Sequence, residues 1–424
     1  MSTDSCTPAP DAFAPGKDML RTAEALERLL AAVSPVEGTE DVALMDALGR
    51  VLAADVVSTR AVPPHDNTAV DGYAVFHADL PAEGTVTLPV TGRIAAGHVL
   101  DRPARRGEAL RIFTGAPMPP GPDTILPQEV CTAHEDGTVT LPPVKQGANL
   151  RKKGEDIQPG AVILPAGRRL RPQDIGLAAS VGIGRLTVRR TLRAAVFSTG
   201  DEVRDPVTGQ DAGPGAIYDS NRFVLMGLLR GLGAEVIDLG IVPDEAATVR
   251  AVLAEAGTRA DVIITSGGVS TGDTDHVKGA VEDLGALNFW RIAIRPGRPL
   301  AFGHVGAVPF IGLPGNPVAS MLTFLIFARP LLLRLMGAED KAPLAVPAVA
   351  DFAFKKRVGR REWVRASVRR GDDGRLVLSR FPKEGSGILT SMVVSGGLAE
   401  LPEDLPGVEP GTVLDFLPFS ELLT

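Results

Sequence analysis

The stretch DVIITSGGVSTGDTD, residues Asp261–Asp275, decides the fold of one part of this chain. An apolar run typical of a buried strand leads directly into a loop rich in glycine, serine and threonine. Glycines let backbone amides approach an anion closely, and the positive end of the following helix would face the same place. Asp273 and Asp275 close the loop, and two carboxylates beside a bound anion would repel it unless a cation lay between them. The stretch therefore predicts a site for a phosphorylated or oxyanionic ligand together with a hard metal ion.

Composition and charge limit the class of protein. The 424 residues include 47 glycines and 35 prolines, which predicts a turn-rich globular chain of about three or four compact units. The net charge of −7 argues against broad binding to nucleic acid. Cys6 and Cys131 form neither a disulfide framework nor a metal-ligand spacing, as expected in a reducing cytoplasm.

The first 18 residues lack the apolar core of a secretory signal and are expected to be disordered. The apolar run Val318–Met336 is interrupted by charged residues and by proline, which favours a buried helix over a membrane span.

Strand and helix patterns alternate from Leu192 to about Gly337. This alternation predicts right-handed crossovers and a parallel sheet with helices on both faces. Gly233 and Gly257 lie where helix C-caps are expected. The predicted strands are Arg193–Ser198, Glu235–Leu239, Asp261–Thr265 and Pro309–Leu313, and the predicted helices are Asn221–Leu232, Glu245–Ala256, His276–Leu284 and Val318–Leu335.

The remaining sequence indicates three further units, so the fold class is multidomain α/β plus β. Residues 1–58 and 150–190 are expected to form a discontinuous mixed domain, with helices over Met19–Val33 and Asp41–Leu52. Short β-prone runs separated by Pro/Gly turns predict an inserted β domain over residues 59–149 and a C-terminal β domain over residues 342–424. The central α/β domain then occupies residues 191–341.

Three loops follow carboxyl ends of the predicted parallel strands, where ligands gather in open α/β sheets. They are Thr199–Glu202, Ser266–Asp275 and Pro314–Pro317. In the third loop, Asn316 is suited to capping a helix and Pro317 to its first turn. Each loop alone is compatible with an ordinary turn, but three loops at one sheet edge favour a binding site.

Charged residues near this edge suit an anion and a cation. Strand alternation predicts that Arg291 and Arg295 share a face, and guanidinium groups bind tetrahedral oxyanions bidentately; a solvated edge strand is the alternative. The acids Asp201, Glu202, Asp244, Asp273 and Asp275 are compatible with helix caps, and a metal site needs two or more of them to converge. The eight Lys and Arg residues of Lys355–Arg370 are typical of a solvated face, with an anionic ligand as the alternative.

Motifs spread along the chain, in order, resemble the MoeA family of molybdopterin molybdenumtransferases, to which the gephyrin E domain is related. The matching stretches are Asn67–Ala74 (NTAVDGYA), Phe113–Pro117 (FTGAP), Gly154–Ile157 (GEDI), Ser198–Val203 (STGDEV), Tyr218–Arg222 (YDSNR), Asp261–Ser270 (DVIITSGGVS), Pro296–Pro299 (PGRP), Leu313–Pro317 (LPGNP) and Gly385–Ser391 (GSGILTS).

The resemblance implies a four-domain subunit with a molybdopterin-binding-like central domain, and a cytoplasmic homodimer whose active cleft lies between the central domain of one subunit and the β domains of the other. It implies a transferase that converts adenylylated molybdopterin and molybdate into molybdenum cofactor and AMP, with Mg²⁺ as cofactor. The molybdopterin adenylyltransferase is then a candidate delivery partner, whereas nucleic acid and membrane are not expected partners.

The resemblance also implies roles for individual residues. The functional acids are Asp71, Glu202, Asp244 and Asp275, with Thr114 beside them, and Glu202, Asp244 and Asp275 are the expected magnesium ligands. Arg291 and Arg295 occupy basic positions where other members often carry lysine, which keeps the charge but changes the geometry. The expected substrate-binding residues are Ser266, Gly267, Gly268, Ser270, Arg291, Arg295, Pro314, Gly315, Pro317, Arg365 and Ser386.

Three other functions stay open at this point. A CinA-like nucleotide pyrophosphatase or deamidase would share only the Leu192–Gly337 portion, and the Asn67–Ala74 and Phe113–Pro117 motifs argue against it. A tungstate-preferring paralogue is compatible with the same residues, because the two oxyanions have the same charge and nearly the same size. A non-catalytic dimeric scaffold is the third alternative, and the absence of a fused partner domain argues against it.

Overall fold

The computed structural model describes residues 19–209, 211, 213–268, 276–297, 299–339 and 342–423. Within these ranges the chain forms three six-stranded sheets and several two-stranded pairings. The three sheets correspond to an inserted domain, a central domain and a C-terminal domain, and the two-stranded pairings include those of the N-terminal region.

The central domain contains a mixed sheet rather than a purely parallel one. Four strands are parallel, and two antiparallel strands extend the sheet at one edge. In spatial order the strands are Glu235–Val242, Arg193–Thr199, Val262–Ser266, Val308–Leu313, Pro299–Val305 and Gly285–Arg291. The four predicted strands are thus confirmed to within a few residues, and the sequence pattern missed the antiparallel pair.

Helices cover both faces of this sheet. They are Asn221–Leu232, Ala246–Arg259, His276–Leu284, Pro317–Thr323 and Arg329–Leu335, with a π-helical turn at Phe324–Ala328 that joins the last two. Gly233 is left-handed and ends its helix as predicted, at φ 88°. The prediction for Gly257 was wrong, because the helix continues to Arg259 and the Ala260 amide donates to the Ala256 carbonyl.

The segment Pro317–Leu335 is long and apolar enough to cross a membrane by length and composition alone, yet 72% of its most apolar window is buried within the protein. Val318, Leu322, Phe327 and Leu331 belong to the largest apolar core, together with residues of the sheet. The segment is therefore a core helix of the central domain.

The N-terminal region is built from the helices Thr22–Ala31 and Pro172–Ser180 and from two strand pairs, Thr39–Ala43 with Arg185–Arg189 and Val56–Val57 with Val162–Leu164. The helix predicted over Asp41–Leu52 is wrong. Residues from Thr39 to Ala43 pair with a distant strand, and a 3-10 turn follows at Leu44–Ala47, so tertiary pairing overrides local helix propensity. The first helix packs on the central domain, since Ala25 and Leu29 are buried in its core.

The inserted domain is a sheet ordered Thr124–Pro127, Gly72–Val75, Ala109–Ile112, Val86–Ile94, Thr138–Leu141 and Thr132–Ala133. The short strands Asn67–Thr68 and Leu150–Arg151 pair with each other near the points where the chain enters and leaves this domain. The C-terminal domain is a five-stranded ring, Arg361–Arg370, Leu376–Arg380, Val346–Ala350, Val413–Pro418 and Gly397–Leu401, which closes because the first and last strands also pair. Phe354–Lys355 pairs with Gly407–Val408 beside the ring, and short helices lie at Thr390–Val394 and Phe419–Leu422.

One strand crosses between domains. Gly285–Arg291 ends in the central sheet, and the next short strand, Ile294–Arg295, pairs in parallel with Arg361 and Glu362 of the C-terminal ring. Arg291 and Arg295 therefore do not share one strand face, and that prediction was wrong. Ile292 and Ala293 lie between the two strands and Ile294 begins the second, and all three residues are fully or almost fully buried at the domain junction.

Candidate functional site

A cleft of about 800 Å³ lies between the carboxyl ends of two central strands and the C-terminal ring. One side of it is formed by the backbone that follows the strands Val262–Ser266 and Val308–Leu313. The other side is formed by Arg295, by arginines of the ring and by the segment Phe381–Ser386. The loops Ser266–Gly268 and Pro314–Asn316 are named the glycine wall below, and Arg295, Arg365 and residues 381–386 are named the arginine wall.

The glycine wall is fixed by a buried network of neutral hydrogen bonds. The Ser266 hydroxyl donates to the Pro314 carbonyl at 2.9 Å. It accepts a hydrogen bond from the side-chain amide of Asn221 at 2.8 Å. The same Asn221 amide donates to the Gly315 carbonyl at 2.7 Å, and the Ser320 hydroxyl lies 3.1 Å from that of Ser266. Because the Ser266 hydroxyl is committed to this network, Ser266 positions the two loops next to each other.

Gly268 is required at its position for two reasons. Its φ of +65° is left-handed, and a Cβ atom there would lie 2.4 Å from the Thr199 Cγ2 atom. Gly267, at φ +89°, donates its amide to the Leu313 carbonyl at 3.0 Å. Because Gly267, Gly268 and Gly315 line the cleft, this part of the wall has no side chains, which allows a ligand to approach closely.

Arg365 is the most buried charge of the arginine wall, with 7% of its surface exposed. Its Nε donates to the Ser391 hydroxyl at 3.0 Å, and Nη2 donates to the Lys383 and Gly385 carbonyls at 3.4 and 3.3 Å. Burial lowers the pKa of Arg365, but a guanidinium stays protonated at any physiological pH. Arg365 thus brings a fixed positive charge to the cleft.

Arg295 is held by two carboxylates. Its Nη1 lies 3.4 Å from Glu362 Oε2, and its Nη2 lies 3.1 Å from Glu384 Oε2. Glu362 is 2% exposed and also pairs with Arg360 at 2.6 Å, whereas Glu384 is half exposed and lies 3.5 Å from Arg380. Sequence reasoning missed both glutamates. Their position beside the Lys355–Arg370 cluster and the GSGILTS motif was the available signal.

The two walls are connected at one rim of the cleft. The Val318 amide, in the first turn of the helix that Pro317 begins, donates to the Ser386 carbonyl at 2.8 Å. Asn316 occupies the N-cap position of that helix, but its side chain makes no capping hydrogen bond. Arg291 is exposed at the end of its central strand, outside the described lining of the cleft.

Two predicted metal ligands follow adjacent strands. Thr199 pairs with Val242 in register, and Glu202 and Asp244 come shortly after these residues. Asp275 and Ser270 lie outside the described residues. Within the described ranges, no three His, Cys, Asp or Glu side chains cluster closely enough to hold a metal ion.

Asp71 and Thr114 form a pair in the inserted domain. The backbone amide and the hydroxyl of Thr114 donate to Asp71 Oδ1 at 2.8 and 2.7 Å, and these two hydrogen bonds lower the pKa of Asp71. Arg111 lies over the rings of Tyr73 and Phe113 nearby, at 5.1 and 4.8 Å from their centroids. In this single chain the pair does not contribute to the described lining of the cleft.

The chain is 38% identical to the molybdopterin molybdenumtransferase of Haemophilus influenzae, over 96% of this chain and 100% of that protein. It belongs to the MoeA family. Three family descriptions match it in succession: MoeA N-terminal region (domain I and II) over residues 20–182, probable molybdopterin binding domain over residues 195–334, and MoeA C-terminal region (domain IV) over residues 347–419.

Other MoeA relatives agree. Molybdopterin molybdenumtransferase 2 of Mycobacterium tuberculosis is 34% identical over 93% of this chain and 98% of its own length. The crystal structure of the molybdopterin biosynthesis MoeA protein of Pyrococcus horikoshii superimposes with a TM-score of 0.80 at 29% identity, over 95% of this chain and 100% of that one. Sequence and architecture therefore assign the same family.

The oxygen donors near the strand ends fit the magnesium ion that the MoeA resemblance implies. Glu202 and Asp244 carry carboxylates just after two paired strands, and the hydroxyl of Thr199, at the end of one of these strands, is buried without a hydrogen-bond partner among the described residues. Mg²⁺ prefers oxygen ligands and usually takes one or two carboxylates together with substrate phosphates. A site completed by a phosphate-bearing ligand suits this donor set.

Proposed function

We propose that this enzyme inserts molybdenum from molybdate into adenylylated molybdopterin, with Mg²⁺, and releases molybdenum cofactor and AMP. The observation that carries the proposal is the cleft in which a bare-backbone wall faces an arginine wall. A nucleotide-linked pterin and a tetrahedral oxyanion need these two different surfaces, and the relatives named above are molybdopterin molybdenumtransferases.

The glycine wall suits the phosphate end of the pterin nucleotide. Gly267, Gly268 and Gly315 line the cleft, and a Cβ at Gly268 would clash with Thr199. Glycine backbone lets phosphate oxygens approach without obstruction by side chains. The Asn221–Ser266–Ser320 network keeps this wall rigid, so its orientation does not have to form when the substrate binds.

The arginine wall suits molybdate. Arg365 and Arg295 direct positive charge into the same cleft, and Ser386 lies at the rim that joins the walls. Arginine forks bind tetrahedral oxyanions through paired hydrogen bonds. Molybdate held here would be near the dithiolene sulfurs of a pterin whose phosphates lie on the glycine wall, and proximity favours ligand exchange.

Glu202 and Asp244 would hold Mg²⁺, with Asp275 as the predicted third acid. An ion held there would supply charge stabilisation for the AMP oxygen that leaves. Glu202 and Asp244 follow the adjacent strands Arg193–Thr199 and Glu235–Val242, outside the described lining of the cleft.

The enzyme acts as a homodimer in this proposal, and the partner subunit supplies Asp71 and Thr114. The carboxylate of Asp71 is kept ionised by Thr114 on a surface outside the chain's own cleft, which suits a group presented to a second copy.

A mixture of Asp71→Asn and Arg365→Lys variants tests this shared cleft. Half of the mixed dimers' clefts would carry neither change, so about a quarter of wild-type activity should return when two inactive variants exchange subunits. No recovery despite exchange would contradict the shared cleft.

The activity itself is tested with purified protein, adenylylated molybdopterin, Mg²⁺ and either molybdate or tungstate. AMP release that depends on the oxyanion, together with reconstitution of an apo-molybdoenzyme, is the expected result. AMP release without any oxyanion requirement would indicate a pyrophosphatase. The ratio of the two oxyanion rates determines whether the enzyme prefers molybdenum or tungsten.

A further inference from the structure

A second cavity of about 490 Å³ adjoins the cleft and is lined only by cationic side chains among the described residues. These are Arg295, Lys355, Lys356, Arg357 and Arg360, and they are named the basic groove here. Two of them, Arg295 and Arg360, also line the cleft, so the two cavities share a border. The groove therefore accounts for part of the Lys355–Arg370 cluster.

Burial alternates along the segment that forms the groove. Phe354 and Lys356 are buried at 8% exposure, whereas Lys355 and Arg357 are exposed. The Lys356 ammonium donates to the carbonyls of Glu403, Leu405 and Arg357 at 3.0–3.3 Å. Lys356 thereby anchors the segment, and Lys355 and Arg357 are left facing solvent on the same side of it.

The charges of the groove are only partly neutralised. Glu362 is buried and pairs with Arg295 and Arg360 from within the domain. Lys355 and Arg357 make no ion pair with any described residue, and no acidic side chain lines the groove in the described part of the chain. A local excess of positive charge on a chain with net charge −7 concentrates small anions at that point and repels them elsewhere.

We propose that the basic groove is an oxyanion-collecting site, which binds free molybdate and passes it to Arg295 and then to the arginine wall. This inference rests on the proposed function. The groove meets the cleft on the arginine side, at Arg295 and Arg360, whereas the glycine wall contributes nothing to its described lining. A small doubly charged oxyanion therefore fits its position better than the nucleotide, whose phosphates belong at the glycine wall.

The test compares two double variants of the same domain. Lys355→Ala/Arg357→Ala removes two charges from the groove, and Arg369→Ala/Arg370→Ala removes two exposed charges from the far end of a ring strand. The groove variant should raise KM for molybdate about threefold to tenfold, weaken its salt dependence and leave kcat within about twofold. KM for adenylylated molybdopterin should stay unchanged, and the control variant should behave as wild type. Equal melting temperatures would show that both variants fold.

Three results would overturn the inference. They are an unchanged KM for molybdate in the groove variant, an equal rise in the control variant, and a rise in KM for the pterin nucleotide instead. A direct readout does not depend on turnover: crystals grown with tungstate near its KM should give an anomalous peak in the groove of the wild type and none in the groove variant. If the wild type releases no AMP with molybdate, the proposed function fails, and the tungstate peak alone then supports or rejects oxyanion binding in the groove.

Discussion

The glycine wall and the arginine wall face each other across one cleft but are held by different interactions. Neutral hydrogen bonds among Asn221, Ser266 and Ser320 fix the glycine wall, and these groups are largely buried. Ion pairs of Arg295 with Glu362 and Glu384 organise much of the arginine wall, and Glu384 is half exposed. Neutral buried bonds are insensitive to salt, whereas exposed ion pairs are screened. The comparison suggests a rigid half for the nucleotide and an adjustable half for the oxyanion.

The largest effect should come from Arg365→Lys on the arginine wall. Lysine keeps the charge but cannot reach the Ser391 hydroxyl and the Lys383 and Gly385 carbonyls as a planar fork does. Molybdate-dependent turnover should fall about 100-fold or more, as after loss of one preorganised transition-state donor. Steady-state kinetics against molybdate measure this. Arg370→Lys, at the exposed end of the same strand, is the matched control, and equal losses in both variants would remove Arg365 from the oxyanion site.

The next effect concerns a charged anchor at the amino end of the strand that leads into the glycine wall. Asp261 precedes the strand that ends in Ser266, and it accepts hydrogen bonds from Arg190 at 2.7 and 2.8 Å. Burial alone would raise the pKa of Asp261, but Arg190 and Arg193 outweigh burial and lower the pKa to about 2.

Because its folded pKa is depressed, Asp261 stabilises the fold fully above its unfolded pKa, and this contribution disappears as the pH falls from about 4 to about 2. The shift corresponds to about 2 kcal/mol of unfolding free energy. Tm measured from pH 7 to pH 2 should show a wild-type advantage over Asp261→Asn that is constant down to about pH 5 and shrinks below it. A difference independent of pH throughout would contradict the assignment.

Ser266→Ala tests the neutral network itself. The change leaves the Pro314 carbonyl and the Asn221 amide short of a partner, which should cost about 1–2 kcal/mol of unfolding free energy. KM for the pterin nucleotide should rise while KM for molybdate stays the same. Ser320→Ala removes a single donor from the same network and should cost less. A variant that alters only molybdate binding would break the proposed division between the walls.

The smallest effect is expected from Glu384→Gln. The Glu384 carboxylate lies between Arg295 and Arg380, where an incoming oxyanion must compete with it. An exposed ion pair contributes about 0.2–1 kcal/mol, so its loss should lower KM for molybdate by a factor of about 1.4 to 5. Glu409→Gln, an exposed change in the same domain, serves as the control. An increase in KM would mean that Glu384 orients Arg295 instead of competing for it.

Much of this fold follows from local sequence pattern. The strand Arg193–Thr199 and the helix His276–Leu284 match their predictions closely, because apolar periodicity and glycine loops are local signals. The strand at Thr39–Ala43 could not be predicted in this way, since it depends on pairing with residues more than 140 positions away. The sequence pattern also placed Arg291 and Arg295 on one strand face, whereas they lie in different sheets. The chain passes from one sheet to the other within three residues, which strand alternation does not reveal.

The candidate site shows the same limit. Motifs indicated Gly267, Gly268, Pro314 and Arg365, whose side chains or backbones line the cleft. Glu362 and Glu384 were not predicted, since an ion pair between distant segments leaves no periodic trace in the sequence. The roles of individual site residues, including Asp275 and Ser270 outside the described ranges, stay predictions for the experiments above.

The strand Ile294–Arg295 has a mechanical consequence. This strand follows a strand of the central sheet and pairs with the C-terminal ring, and the Val318–Ser386 hydrogen bond joins the same two domains at a second point. A tilt of the ring relative to the central domain would break the Val318–Ser386 hydrogen bond. It would also move Arg295, because Arg295 pairs with a strand of the ring. Main-chain hydrogen bonds at two separate points therefore resist rotation of the central domain against the C-terminal ring.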